Sequence, residues 1–325
     1  MRILFAPFLF SLHNKPLLNG NAGPCGNLDY GTINTLLHGG FMSTESLQVS
    51  ESNGLTFLEV DNHLGSAKIS LFGGHVLSFI PKKDGQERLW VSPHAYLNGE
   101  RPIRGGIPVC WPWFSDDHGK AKGELPAHGF LRTQVWQLTS SSEDEAGTHI
   151  TLTPSFTRAE GFEYDCAVTL SITVGNALTV SLITENTGVV PFIYNCALHS
   201  YFHVDHIQAV RLEGVTGDYK DKLDDWAVKP TPENYTFTGE TDRIHMSPVA
   251  KASIVVNDKP FTDVGSKGHD SLVVWNPWQS AASISDMDPF GYKHMLCVES
   301  SITQGKTLQP SESHAMVQTI TPVLR

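Results

Sequence analysis

The stretch CAVTLSITVGNALTVSLITE, residues 166–185, constrains the fold more than any other. Val168, Leu170, Ile172 and Val174 alternate with Thr169, Ser171 and Thr173, and Leu178, Val180 and Leu182 alternate with Thr179 and Ser181. Period-two alternation gives one apolar face for a core and one polar face for solvent, and β-branched side chains suit a pleated backbone. Gly175-Asn176 separates the two runs, and both residues tolerate positive φ, so a tight primed turn and a β-hairpin are predicted. Shorter runs of the same character recur at 55–62, 67–80, 87–92, 148–156, 252–258, 271–277, 293–300 and 314–323. The 19 Pro and 28 Gly lie spread between these runs, and no stretch of about 12 residues keeps a clean helical period. Many short strands with turn residues between them predict an all-β sandwich or barrel, not an α/β layered fold. With no internal repeat and no linker after residue 45, one domain is expected, and the charge run SSSEDEAG (140–147) reads as a solvated loop tip.

Composition narrows the function. The chain has 325 residues with 23 Lys+Arg against 34 Asp+Glu, a formal charge of −11, and it is 40% hydrophobic and 18% charged. That fits a soluble protein with a sizeable core. It argues against nucleic acid or an anionic membrane as partner, so any bound phosphate must be captured by a local cation cluster. The five cysteines, at 25, 110, 166, 196 and 297, are scattered and form no CxxC pair. Neither a zinc site nor a disulfide framework is suggested, and reduced cytoplasmic thiols are expected. The opening MRILFAPFLFSL is apolar but lacks a small-x-small cleavage site and is too short to span a bilayer. An N-terminal extension over 1–41 with the domain beginning near Met42 is expected, a signal peptide being the alternative.

Several segments carry candidate chemistry. RPIRGGIPVCWPWF (101–114) sets Arg101 and Arg104 beside Gly105-Gly106 and then a run of aromatics. Arginine suits bidentate capture of phosphate oxygens, and glycines leave room for a ligand to approach the backbone. LPAHGFLR adds Arg132, with His128 four residues before it. In YNCALHSYFHV, His199 and His203 are four apart. On a strand that is roughly 13 Å, at about 3.3 Å per residue, too far to share an ion. His199 is thus either a core histidine or a proton-transfer group. Glu299, in MLCVES, ends an apolar run, where partial desolvation would raise its pKa and make it a usable base. A solvated strand-end carboxylate is the alternative. Asp221 sits in a crowded acidic loop, and Trp111, Trp113, Trp275 and Trp278 could stack on sugar faces or fill the core.

RGGIPVCWP, LPAHGFLR, ALHSYF, YKDK (219–222) and CVES, in that order, resemble the hexose-6-phosphate mutarotases, or glucose-6-phosphate 1-epimerases, a branch of the aldose 1-epimerase (galactose mutarotase-like) superfamily. The resemblance covers roughly residues 46 to 325. It implies a large antiparallel β-sandwich and interconversion of hexose 6-phosphate anomers with no cofactor and no metal. It makes His199 the general acid and Glu299 the general base, gives Arg104 and Arg132 to the phosphorylated sugar, sets Asp221 on sugar hydroxyls and His128 in a substrate-side or supporting role. Ala127 stands where many relatives carry Gln, which removes a potential amide contact to the ligand. The implied partner is a small sugar phosphate, and the expected form is a monomer.

These residue types suit ring opening. The C1 hydroxyl must lose a proton while the ring oxygen gains one, and a carboxylate with an imidazolium can perform both transfers, typically worth about 10²–10⁴ in rate. Arginines holding the far phosphate would fix the reacting end. Two alternatives remain: a non-catalytic sugar-phosphate binder, and a glycoside hydrolase pairing Glu299 with Asp221.

Overall fold

A computed structural model describes residues 44–323. The N-terminal extension, the domain start near Met42 and Cys25 lie outside the described residues. The expected all-β architecture is found: a large antiparallel sandwich whose only helices among the described residues are four short 3-10 turns. None of them is long and apolar enough to cross a membrane.

The hairpin read from the sequence lies within a nine-stranded sheet, beside its central strand Ser313–Pro322. Cys166–Val174 pairs with Leu178–Asn186 in a continuous register from Cys166↔Asn186 to Val174↔Leu178. Its connector, however, is three residues, Gly175-Asn176-Ala177, closed by the Gly175 amide donating to the Ala177 carbonyl (3.1 Å). Neither Gly175 nor Asn176 has positive φ. Glycine is needed there for space, because a Cβ at 175 would sit 2.2 Å from the Ala146 carbonyl oxygen of the neighbouring hairpin. That neighbour corrects a second expectation. Residues 140–144 are not a loop tip but the end of Trp136–Asp144, the outermost strand of the sheet. Its acids line an edge, where charge discourages pairing with another chain.

The second large sheet has eight strands. At its middle runs Met295–Leu308, 14 residues long, flanked by Ser271–Asn276 on one side and Phe192–Leu198 on the other. The apolar run at 293–300 was only its first half, since the polar continuation SITQGKTL carries no strand pattern of its own. The run at 87–92 forms no strand, only single bridges from Leu89 to Phe202 and from Val91 to Gly105. A four-stranded meander over 47–81 adds Leu58, Ile69 and Phe79 to the main core and covers a smaller cluster, Leu55, Phe57, Phe72, Leu77 and Ile103, on its other face.

The two large sheets share one core: Leu170, Ile172 and Leu182 from the first meet Cys196, Leu198, Val298 and Ile302 from the second. A polar seam runs through it. The Gln318 amide donates to the Val298 carbonyl (3.1 Å) and to Ser300 Oγ (3.0 Å), and its oxygen accepts from Ser200 Oγ. Ser300 also meets Ser266 Oγ at 2.7 Å. Each of these buried groups has a partner, which a buried polar group needs to avoid a desolvation penalty. The seam also orients the neighbours. Since side chains alternate along a strand, Ser300 pointing inward sends Cys297 and Glu299 to the opposite face of the sheet.

Candidate active site

On that outer face Glu299 lies between an apolar floor and an imidazole. Val273 is its cross-strand partner, and Val273 packs with Cys110, Phe114, Ala197 and Ile244 in a small cluster separate from the main core. His199 follows directly on Phe192–Leu198. The strand breaks there, and the His199 amide donates to the Pro108 carbonyl (3.0 Å). Three rings then fix the imidazole: Tyr201 stacks on it (5.0 Å, 12°), while Trp275 (6.0 Å, 80°) and His128 (5.5 Å, 70°) meet it edge-on. Nδ1 of His199 is 3.4 Å from Oε1 of Glu299. Their alignment is not that of a hydrogen bond, so Nδ1, like Oε2 of Glu299, has no hydrogen-bond partner among the described residues.

Beside the pair, Arg101, Arg104 and Arg132 line a cavity of about 400 Å³ together with Pro108, Tyr201 and Asp286. Arg104 donates from Nε to Asp286 (3.0 Å) and from a terminal nitrogen to the Tyr201 hydroxyl (3.0 Å). Tyr201 thus touches both the guanidinium and the imidazole. Arg132 donates to the Ala127 carbonyl (2.8 Å), and its buried Nε has no hydrogen-bond partner among the described residues. Because Ala127 is used through its backbone, the missing Gln amide leaves this anchor intact. Arg101 lies over Tyr96 at the cavity's edge.

The glycines beside these arginines do not serve a ligand. Gly105 and Gly106 are buried with φ of 109° and 62°. A Cβ at 105 would lie 2.4 Å from the Trp90 carbonyl oxygen, and one at 106 would lie 2.3 Å from that of Val76. Their lack of side chains lets the loop lie flat on its neighbours. His75, fully buried, bonds the Gly105 carbonyl through Nε2 (2.6 Å).

The electrostatics of the pair follow from burial. The apolar floor holds the Glu299 carboxyl well above the usual carboxylate range, and nearby Asp242 adds to this, against the pull of Lys222. Burial also holds the His199 imidazole well below its ordinary value, with Arg132 and Arg104 adding repulsion. Both shifts favour one resting state: a protonated carboxyl beside a neutral imidazole. The imidazolium expected on His199 is therefore disfavoured before a ligand arrives.

The structure does not gather every candidate. His128 supports the imidazole from φ +64°, with its Nδ1 accepting from the Ser115 amide (3.2 Å). Asp221 is tied to Lys229 (2.8 Å) and to the Leu223 amide. The next residue, Lys222, bridges to Asp242 (2.8 Å) near Glu299 instead. Trp111 and Trp113 are core residues, Trp278 packs on Tyr292, and only Trp275 reaches the pair. His203 pairs with Met295 in Tyr201–His203. Sequence reasoning missed Tyr201, Lys222, Asp242 and Asp286. Tyr201 stood in the quoted ALHSYF, two residues from His199, while the two aspartates sit in polar segments without a pattern.

A family model, aldose 1-epimerase, matches residues 57–321. The chain belongs to the aldose 1-epimerase family. A protein of Escherichia coli K12 named as a candidate glucose-6-phosphate 1-epimerase is 34% identical over 254 residues, 76% of this chain and 83% of that one. One from Cenchrus ciliaris with the same name is 33% identical over 268 residues, 76% and 78% of the two chains. Among solved structures, a candidate mutarotase from Salmonella typhimurium superposes with a TM-score of 0.79 at 29% identity, covering 88% of this chain and 96% of its own. The epimerase family's sandwich is thus the frame in which His199, Glu299 and the arginines are held.

Proposed function

We propose that this aldose 1-epimerase interconverts the α and β anomers of hexose 6-phosphates, glucose 6-phosphate foremost, with Glu299 as base, His199 as acid and Arg104 and Arg132 as the phosphate anchor. The observation that carries this reading is the adjacency of an arginine-lined cavity to a buried carboxyl–imidazole pair, with Tyr201 shared between them. Relatives bearing a glucose-6-phosphate 1-epimerase name support the choice of substrate.

The electrostatics give the order of events. A phosphate seated on Arg104 and Arg132 offsets the two positive charges that add to burial in disfavouring an imidazolium at His199. The single proton of the pair then passes from Glu299 to His199. The carboxylate takes the proton of the C1 hydroxyl as its electrons form the C1 carbonyl. The C1–ring-oxygen bond breaks, and the imidazolium gives its proton to that oxygen. Rotation about C1–C2 presents the other carbonyl face, and reclosure runs the transfers backward. Atoms and charge balance without any external reactant. The phosphate both fixes the sugar and sets the protonation state, so its binding energy acts on the reacting end. Asp221, tied up by Lys229, is not assigned to the sugar. The Lys222–Asp242 ion pair near Glu299 is assigned in its place.

Arginine anchoring is testable by competition between substrates. A charged hydrogen bond contributes about 1.5–3 kcal/mol, or roughly 10- to 100-fold in kcat/KM. Magnetisation-transfer NMR with Arg132→Lys is expected to show a loss of that size for glucose 6-phosphate and little change for glucose. Equal losses for both sugars would remove the arginine from the phosphate site.

A further inference from the structure

We propose that His199, Cys297 and Glu299 form a binding site for a thiophilic divalent cation, Zn²⁺ above all, and that its occupation blocks the epimerase. The inhibitory half rests on the function proposed above, and the binding half stands alone. One ring nitrogen of His199, Sγ of Cys297 and one carboxylate oxygen of Glu299 all lie within 4.8 Å of one another, and Nδ1 of His199 is 3.4 Å from Oε1 of Glu299. The residues are 8%, 0% and 1% exposed. Nδ1 of His199 and Oε2 of Glu299 have no hydrogen-bond partner among the described residues, so two of the three donor residues carry an uncommitted buried atom.

The donor set fixes the ion. Zn²⁺ takes His nitrogen at about 2.0–2.1 Å, Cys sulfur at about 2.3 Å and carboxylate oxygen at about 2.0–2.2 Å, in a tetrahedron whose corners then stand about 3.5 Å apart. A side-chain adjustment of about 1 Å closes the present arrangement onto that geometry. Thiolate and imidazole select zinc-like ions, whereas Mg²⁺ and Ca²⁺ prefer sites made wholly of oxygen. Charge suits the floor as well. Binding releases the thiol proton of Cys297 and the carboxyl proton of Glu299. The dication with its two anionic ligands is then neutral overall, which an apolar surround tolerates. The fourth position falls to water or a sugar hydroxyl. Occupied in this way, Glu299 and His199 have neither the proton nor the free lone pairs that ring opening requires.

Sequence spacing had set metal binding aside because His203 is too far from His199 along a strand. The partners that matter are on Met295–Leu308, brought beside His199 by the pairing of that strand with Tyr201–His203 and Phe192–Leu198.

The test uses the full chain, stripped with chelator and titrated with Co²⁺ as a spectroscopic stand-in. A thiolate-to-Co²⁺ charge-transfer band saturating at one ion per chain is expected. It should vanish in Cys297→Ser and persist in Cys166→Ser, and Cys297→Ala serves where Ser does not fold. In parallel, Zn²⁺ but not Mg²⁺ should inhibit anomer exchange. Relative to each protein's own metal-free rate, Cys297→Ser should need at least the 10- to 100-fold more Zn²⁺ that loss of a supporting partner alone costs a metal site. No thiolate band in the native chain, or an unchanged band in Cys297→Ser, overturns the proposal. A band in a chain without epimerase activity keeps the metal site and removes the function proposed above. Exchange without a band does the reverse.

Discussion

His75 shows how one buried side chain ties the arginine loop to pH. Burial lowers its pKa to about 4, against an unfolded value near 6.5, with the Gly105 carbonyl partly opposing and Arg132 adding to the shift. The neutral form is the folded form, so the unfolded chain binds the proton first. Stability from this residue is complete above about 6.5 and is lost as pH falls toward 4. Between pH near 7 and pH near 4.5 the native chain should lose about 2 kcal/mol more than His75→Gln, which keeps a donor for Gly105 but cannot titrate. Denaturant unfolding at the two pH values checks this, and equal losses would contradict it. Single residues were also where the sequence was most and least readable. His199, Glu299, Arg104 and Arg132 stood in motifs, and the structure brings them together. Lys222 stood in YKDK, but its pairing with Asp242, like that of Asp286 with Arg104, joins separate segments, which no local pattern encodes.

At the scale of elements, alternation revealed strands wherever one face is buried, as in Cys166–Val174 and Leu178–Asn186. It failed in two directions. The second half of Met295–Leu308 leaves the core and loses its apolar face, so a real strand looked like a loop. The 87–92 run is apolar because it packs under the meander and the arginine loop, so a loop looked like a strand. The glycine-rich loop was recognised as special for a reason the structure replaces: Gly106 makes room for protein, not ligand. Gly106→Ala puts a Cβ 2.3 Å from the Val76 carbonyl oxygen at φ +62°. A strained backbone alone costs about 1–3 kcal/mol, and the clash adds to it. The variant should lose at least that much stability in denaturant titration and, by shifting Arg104, raise KM for sugar phosphate. A variant of native stability and KM would show that the loop is not held by this contact.

For the molecule as a whole, the site depends on two sheets keeping register across the Gln318 seam. Gln318→Leu removes three hydrogen bonds of the seam, those to the Val298 carbonyl, Ser300 and Ser200, while Ser300 keeps Ser266 and Ser200 keeps the Leu198 carbonyl. At about 0.5–1.5 kcal/mol per lost hydrogen bond, a loss of about 2–4 kcal/mol is expected in thermal unfolding. Because Ser200 and Ser300 adjoin His199 and Glu299, kcat should fall more than KM rises. Fold class and core face were legible from alternation, whereas the seam was not, since Ser and Gln in strands read as solvent-facing. The central claim is that Glu299 moves the C1 proton while the arginines only hold the phosphate. Glu299→Gln tests it most directly, with exchange between glucose 6-phosphate anomers followed by NMR and affinity by calorimetry. We predict that exchange falls by about 10²–10⁴ with affinity within a few-fold of native. Exchange at the native rate in this variant would contradict the account.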